Sequence, residues 1–138
     1  MDHPTAADLA KVPLLSGLSE DDRERLASWF DIEQYSAGLR PIVAHASGYA
    51  FFVLASGRAH AEKDGNVLEV LEPGAVFGEM AFFTNDGRRA ADVIADSDIE
   101  VYALFGTRFR EIQLEMPELA GRLSSLAEER ANRVREAP

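Results

Sequence analysis

The chain has 138 residues, 46% of them hydrophobic and 28% charged, and contains no cysteine. That is enough chain to bury a core without metal or disulfide staples, and the composition excludes a mostly disordered protein, a disulfide framework, a thiolate nucleophile and any cysteine-held metal or cluster. Lys and Arg number 14 against 24 Asp and Glu, a formal charge of −10, which argues against direct nucleic-acid binding and against an anionic membrane as partner.

Up to about Phe30 the chain reads as helical. Ser19 followed by Asp22 has capping-box spacing, Glu20, Asp21 and Asp22 suit a helix N-terminus, and Leu26, Trp29 and Phe30 give the helix a face to bury. From Asp31 to about Phe105 the texture changes to short apolar runs between turn residues. Phe51-Phe52-Val53-Leu54 is predicted as a strand ending at Ser56-Gly57. Residues 58–63 form another, and Asp64-Gly65-Asn66 turns it into Val67–Leu71. Glu72-Pro73-Gly74 is a further turn, and Ala90–Ala95 and Ile99–Phe105 are predicted strands joined at Asp96-Ser97-Asp98. Strands spaced in this way predict a mainly β fold, an antiparallel sandwich, roll or barrel of jelly-roll type with flanking helices.

After Phe105 the helical period returns. Thr107 is expected to cap a helix running to Met116, and Pro117 to open the last helix as its first residue. Leu119, Leu123, Leu126, Ala127 and Val134 share a stripe on that helix, interrupted by Arg130. No apolar run approaches the roughly 18–20 residues of a membrane span. Met1-Asp2-His3-Pro4 lacks the regions of a signal peptide, so the expected location is cytoplasmic. The expected organisation is one domain over 1–138, with a helical segment to 30, a barrel over 31–106 and C-terminal helices over 107–136.

The segment Phe77–Val93 reads as neither plain strand nor plain turn. Pro73-Gly74 and Gly78 allow tight turns, Glu79–Phe82 is expected to form one helical turn, and free N–H groups at such a turn make an anion cradle. Arg89 follows ten residues after Glu79, flanked by the small residues Ala90 and Ala91. Its planar fork matches the oxygens of a phosphate.

Phe77-Gly78-Glu79-Met80-Ala81-Phe82 followed by Arg89-Ala90-Ala91-Asp92-Val93 resembles the phosphate-binding cassette of cyclic-nucleotide-binding domains. That family is shared by the catabolite activator protein, cAMP-dependent kinase regulatory subunits and cyclic-nucleotide-gated channels. The resemblance runs from about Leu9 to Glu136, through Val12-Pro13-Leu14-Leu15, Ser36-Ala37-Gly38, Glu72-Pro73-Gly74 and Pro117-Glu118-Leu119. It implies that Arg89 pairs with the cyclic phosphate and that Glu79 accepts from the ribose 2′-hydroxyl. Backbone N–H groups near Ala81 and Ala90 complete the cradle with Gly78, Met80 and Ala91. A carboxylate accepts from a hydroxyl and repels a phosphate, so Glu79 and Arg89 should address different ends of the ligand.

Ala90 offers no hydroxyl where the family's cGMP-preferring members carry one, which favours cAMP over cGMP. Departures from the pattern are the short His45–Tyr49 loop, Asp92 in place of a neutral residue, and the lack of a Thr-Ser pair in the last helix. Strand alternation should turn Asp92 away from the site.

Arg88 reads as a solvated neighbour, with a second phosphate contact as the alternative. Arg130 reads as part of a helix packed on the barrel, with a ligand or partner-helix contact as the alternative. Phe82 and Phe83 read as core, and Glu79 with Arg89 could instead form a surface ion pair. His3, His45 and His60 show no metal spacing. No catalytic constellation stands out, so the chain is expected to be a regulatory module and not an enzyme, requiring no cofactor. Its partners would be a cyclic nucleotide and, through the last helix, a second copy or another protein. A degenerate barrel serving interaction alone and the sensor domain of a transcription regulator are the competing readings.

Overall fold

Thr5 opens the first helix with a complete capping box. Its Oγ1 accepts from the Asp8 N–H at 3.1 Å, and its own N–H donates to Asp8 Oδ2 at 3.0 Å. The computed structural model describes residues 2–42, 50–83 and 91–136. The loop His45–Tyr49 and the positions Arg88, Arg89 and Ala90 lie outside the described residues. The helical run expected up to Phe30 divides into α1 (Ala6–Ala10) and α2 (Glu20–Trp29), separated by turns around Pro13 and Gly17. As the spacing predicts, Ser19 Oγ accepts from the Asp22 N–H at 3.1 Å to start α2.

The strands are β1 (Asp31–Tyr35), β2 (Ala50–Ser56), β3 (Ala59–Lys63), β4 (Asn66–Leu71), β5 (Val76–Phe77), β6 (Asp92–Ala95) and β7 (Ile99–Phe105). They form one sheet in the order β1-β7-β2-β5 and a second in the order β4-β3-β6, and every pairing is antiparallel. The mainly β fold with flanking helices is therefore as expected. The β3–β4 hairpin turns through Asp64 (φ 51°) and Gly65 (φ 83°), both in the left-handed region that a two-residue turn of this type requires. Neither β1 nor β5 stands out in the sequence: β1 is Asp-Ile-Glu-Gln-Tyr, partly exposed throughout, and β5 has two residues.

The apolar run of β2 has a structural cause. Its side chains alternate between two apolar cores. Phe51 and Val53 join Leu9, Leu15, Leu26 and Phe30 under the helices. Phe52 and Leu54 face the other way, against Leu71, Phe77, Val101 and Ala103 between the sheets. Phe51 meets Phe30 edge-on with ring centroids 5.6 Å apart, while Phe52 stacks on Phe77 at 5.0 Å. β7 divides in the same manner, Leu104 to the helical side and Val101 and Ala103 to the barrel interior.

The expected Thr107 cap is not made. Gly106–Arg108 forms a 3-10 turn with no side-chain cap, and α3 (Phe109–Glu115) begins from Arg108. Arg108 is itself already helical at φ −90°, ψ −12°, which leaves no extended residue there for a hydroxyl to cap. The last helix, α4 (Pro117–Glu136), starts at Pro117 as predicted and buries Leu119, Leu123 and Ala127, the two leucines in the helical core.

Because Phe51 is fully buried where β2 meets α2, truncation to alanine is expected to cost about 3–5 kcal/mol. Urea unfolding checks this: the midpoint should fall with the slope unchanged.

Candidate functional site

β5 ends at Phe77, and Gly78 then adopts φ 88°, a left-handed conformation that redirects the chain at once into a 3-10 turn over Glu79–Phe83. This turn was expected over Glu79–Phe82. It carries Glu79 inward: the residue is fully buried, and it is the one charged residue in the buried set of the described residues. A cleft opens beside it between the second sheet and α4. Ile42, Leu71, Phe77 and Val93 form its apolar wall, with Ala61 from β3. Gly78, Glu79, Met80 and Ala91, all site residues predicted from the sequence, line it as well. The enclosed part of the cleft is small, about 70 Å³, and it opens at its mouth to solvent.

The charge partner of Glu79 comes from α4. Arg130 Nη1 donates to Glu79 Oε1 at 2.5 Å and to the Val76 carbonyl oxygen at 2.5 Å. The other edge of the guanidinium meets Glu69 on β4, Nε donating to Oε1 at 3.1 Å and Nη2 to Oε2 at 2.9 Å. Arg133 Nη1 adds a bond to Glu69 Oε1 at 2.9 Å, and Lys63 Nζ holds the Val134 carbonyl oxygen at 3.0 Å. The last two turns of α4 are thereby tied across the cleft by charge-assisted bonds. The second oxygen of Glu79, Oε2, is buried and has no hydrogen-bond partner among the described residues.

Burial raises the Glu79 carboxyl above the ordinary glutamate range. Arg130 pulls it back only in part, and the neighbouring Glu69 adds to the rise. Burial alone would lower the Arg130 guanidinium, but Glu79 and Glu69 more than offset this and the group is raised.

Residues 32–115 match the cyclic nucleotide-binding domain family. The chain belongs to that family. A cAMP-dependent protein kinase regulatory subunit of Neurospora crassa is 35% identical over 106 residues, 75% of this chain and 27% of the relative. The cyclic AMP receptor protein of Thermus thermophilus is 33% identical over 131 residues, 91% of this chain and 58% of the relative. A co-crystal structure of the regulatory domain of Toxoplasma gondii PKA with cAMP superposes with a TM-score of 0.78 at 27% identity, covering 90% of this chain and 48% of that one. The chain thus spans about a quarter of the kinase regulatory subunit and little more than half of the receptor protein.

Several expectations for this cyclic nucleotide-binding domain meet its geometry unevenly. Asp92 pairs with Arg40 at 2.6 Å while its neighbours Ala91 and Val93 line the cleft, so alternation does turn it aside. Phe83 is not core. It is 41% exposed and rests edge-on against Phe109, because the 3-10 turn leaves it outside the sheet. Glu79 is no surface residue, and its ion-pair partner among the described residues is Arg130. Arg88, Arg89 and Ala90 are outside the described residues, and Ala81 is described in its backbone alone. Sequence reasoning overlooked Glu69 and Arg133. The one available signal was Arg130 itself: a cation on an otherwise apolar helical stripe needs an anion on the surface it packs against.

The raised Glu79 carboxyl has a consequence for stability. The folded protein holds this proton more tightly than the unfolded chain does. The stabilisation is therefore complete below the ordinary glutamate range and is lost as pH rises through the raised value. Across that window the wild type should lose thermal stability with rising pH relative to Glu79→Gln. Melting curves at stepped pH values measure the difference, and parallel profiles would contradict it.

Proposed function

We propose that residues 1–138 act as one regulatory unit that binds cAMP in the cleft and passes its occupancy on through α4. The carrying observation is the buried Glu79, its Oε2 without a hydrogen-bond partner among the described residues, at a cleft with an apolar wall in a chain of this family. A buried acceptor without a donor is costly, and a ligand hydroxyl removes the cost. Glu79 Oε2 takes the hydrogen bond of the ribose 2′-hydroxyl.

Arg89 clamps the cyclic phosphate, with backbone donors near Ala81 and Ala90 beside it. Support comes from Ala91, two residues on, which lines the cleft. Gly78 and Met80 flank the sugar. Arg88 is the secondary candidate for the phosphate, and Arg130 stands beside the ligand through Glu79. The unit is not a catalyst: it binds, and the bound ligand shifts the population of α4 arrangements by its differential affinity for them. Arg130, Arg133 and Val134 of α4 line the cleft, so a ligand entering it meets the helix directly.

A second copy or a separate effector reads α4, and the location is the cytoplasm. Among the described residues no helix is long and apolar enough to cross a membrane. The preference for cAMP over cGMP rests on Ala90 and on relatives described as a cyclic AMP receptor and as bound to cAMP.

Calorimetric titration tests this reading. Arg89→Ala should weaken cAMP by the roughly 2–5 kcal/mol that an unpaired buried anion costs, about 30-fold to a few thousand-fold. An unchanged isotherm would remove Arg89 from the site. The wild type should prefer cAMP to 2′-deoxy-cAMP by roughly tenfold or more, the contribution of a hydrogen bond to a charged acceptor. Equal affinities would mean that Glu79 supports the turn and does not read the sugar. Ala90→Thr should tighten cGMP relative to cAMP by about two- to tenfold, measured by competition.

A further inference from the structure

An arginine facing a carboxylate ordinarily pairs fork to fork, two parallel N–H···O bonds engaging both oxygens. Arg130 does not do this with Glu79. It gives Glu79 a single bond, from Nη1 to Oε1 at 2.5 Å, and the same nitrogen also serves the Val76 carbonyl oxygen. Its fork, the Nε and Nη2 edge, is committed to Glu69, whose two oxygens sit 3.1 and 2.9 Å away. Arg133 holds one of those oxygens from the solvent side and fixes Glu69 in turn. The orientation of the guanidinium is thus set by the carboxylate on β4, not by the one in the cleft. As a result Glu79 Oε2 is left with no partner among the described residues.

From this geometry we infer that Glu69 is a positioning residue for sugar recognition: by holding the Nε–Nη2 edge of Arg130 it fixes the guanidinium so that Nη1 alone reaches Glu79, and keeps Glu79 Oε2 open for a ligand hydroxyl. The inference rests on the proposed role of Glu79 and adds to it a residue that never touches the ligand. Physical chemistry supports the competition. Two carboxylates face one guanidinium, which offers five donors, and with Glu69 neutral the remaining anion, Glu79, gains the stronger claim on both edges. Glu79 would then have its two oxygens satisfied internally, and a 2′-hydroxyl would have to displace a charge-assisted bond to reach either of them. Affinity for the parts of the ligand that Glu79 does not touch would be nearly unchanged.

Glu69→Gln keeps the size of the side chain but replaces one acceptor by an amide that cannot face a guanidinium. The test titrates cAMP and 2′-deoxy-cAMP against wild type, Glu69→Gln and the double variant Glu69→Gln/Arg130→Lys. Wild type should favour cAMP by roughly tenfold or more. In Glu69→Gln the preference should collapse to within about twofold, through loss of cAMP affinity and not gain of the deoxy ligand. In the double variant a lysine, a point charge without a fork, cannot engage both Glu79 oxygens, so a preference of several-fold should return. A merely structural role for Glu69 would weaken both ligands alike, and the second substitution would not restore the ratio. A ratio unchanged in Glu69→Gln, or one still collapsed in the double variant, overturns the inference while leaving the ribose contact intact. A wild type that does not distinguish the two ligands overturns the ribose contact, and the inference with it.

Discussion

A partly buried arginine shared between two carboxylates organises the functional end of this protein. Arg130 leaves solvent at the end of an apolar helical stripe and lies against a sheet, which is tolerable for a guanidinium only when its donors are met. Glu69, Glu79 and the Val76 carbonyl oxygen meet them. The three acceptors come from β4, the turn after β5 and β5 itself, so one side chain joins α4 to three of the segments that bound the cleft. Removing Arg130 would do more than loosen a helix. It would leave two anions, Glu69 and Glu79, without the cation they share.

The remainder of the fold makes this arrangement possible by keeping α4 in register. Leu119 and Leu123 bury the first part of the helix in the same core that takes Phe51 and Val53 from β2. The opposite faces of β2 and β7 close the barrel core, which shapes the wall of the cleft through Phe77, Leu71 and Val93. Both cores therefore share a strand pair, and a shift of α4 against one is felt by the other. Close-packed interiors respond to such a shift by repacking and not by yielding smoothly. That is the physical basis of the proposed relay through α4.

Glu79 carries a local cost that the fold does not relieve. Its carboxyl is raised by burial, and one of its oxygens lacks a donor among the described residues. A protein selected for stability alone would place an apolar residue there. Retaining an incompletely satisfied acid beside a cleft is the pattern of a binding site, where stability of the empty protein is traded for stability of the complex. Glu69 fits the same logic, since a second acid near Glu79 makes the empty site worse while sharing the cation that Glu79 pairs with among the described residues.

The sequence by itself determined the elements and the family. Period-two runs, turn residues at Ser56-Gly57, Asp64-Gly65 and Pro73-Gly74, and a helical stripe opening at Pro117 are local signals, because strands, hairpins and helix starts are decided by near neighbours. The cassette residues Gly78 and Glu79 were legible for the same reason: the turn needs a left-handed glycine, and the motif is contiguous. Thr107 failed because capping depends on a backbone state that α3 inherits from the preceding 3-10 turn. What only the tertiary structure decided is which charges meet. Glu69, Glu79 and Arg130 lie on three segments up to 61 residues apart. In the sequence Glu69 is an acid on a partly solvated strand and Arg130 a break in a stripe. Their pairing follows from the angle at which α4 crosses the sheet, which is set by packing in a core that none of the three belongs to.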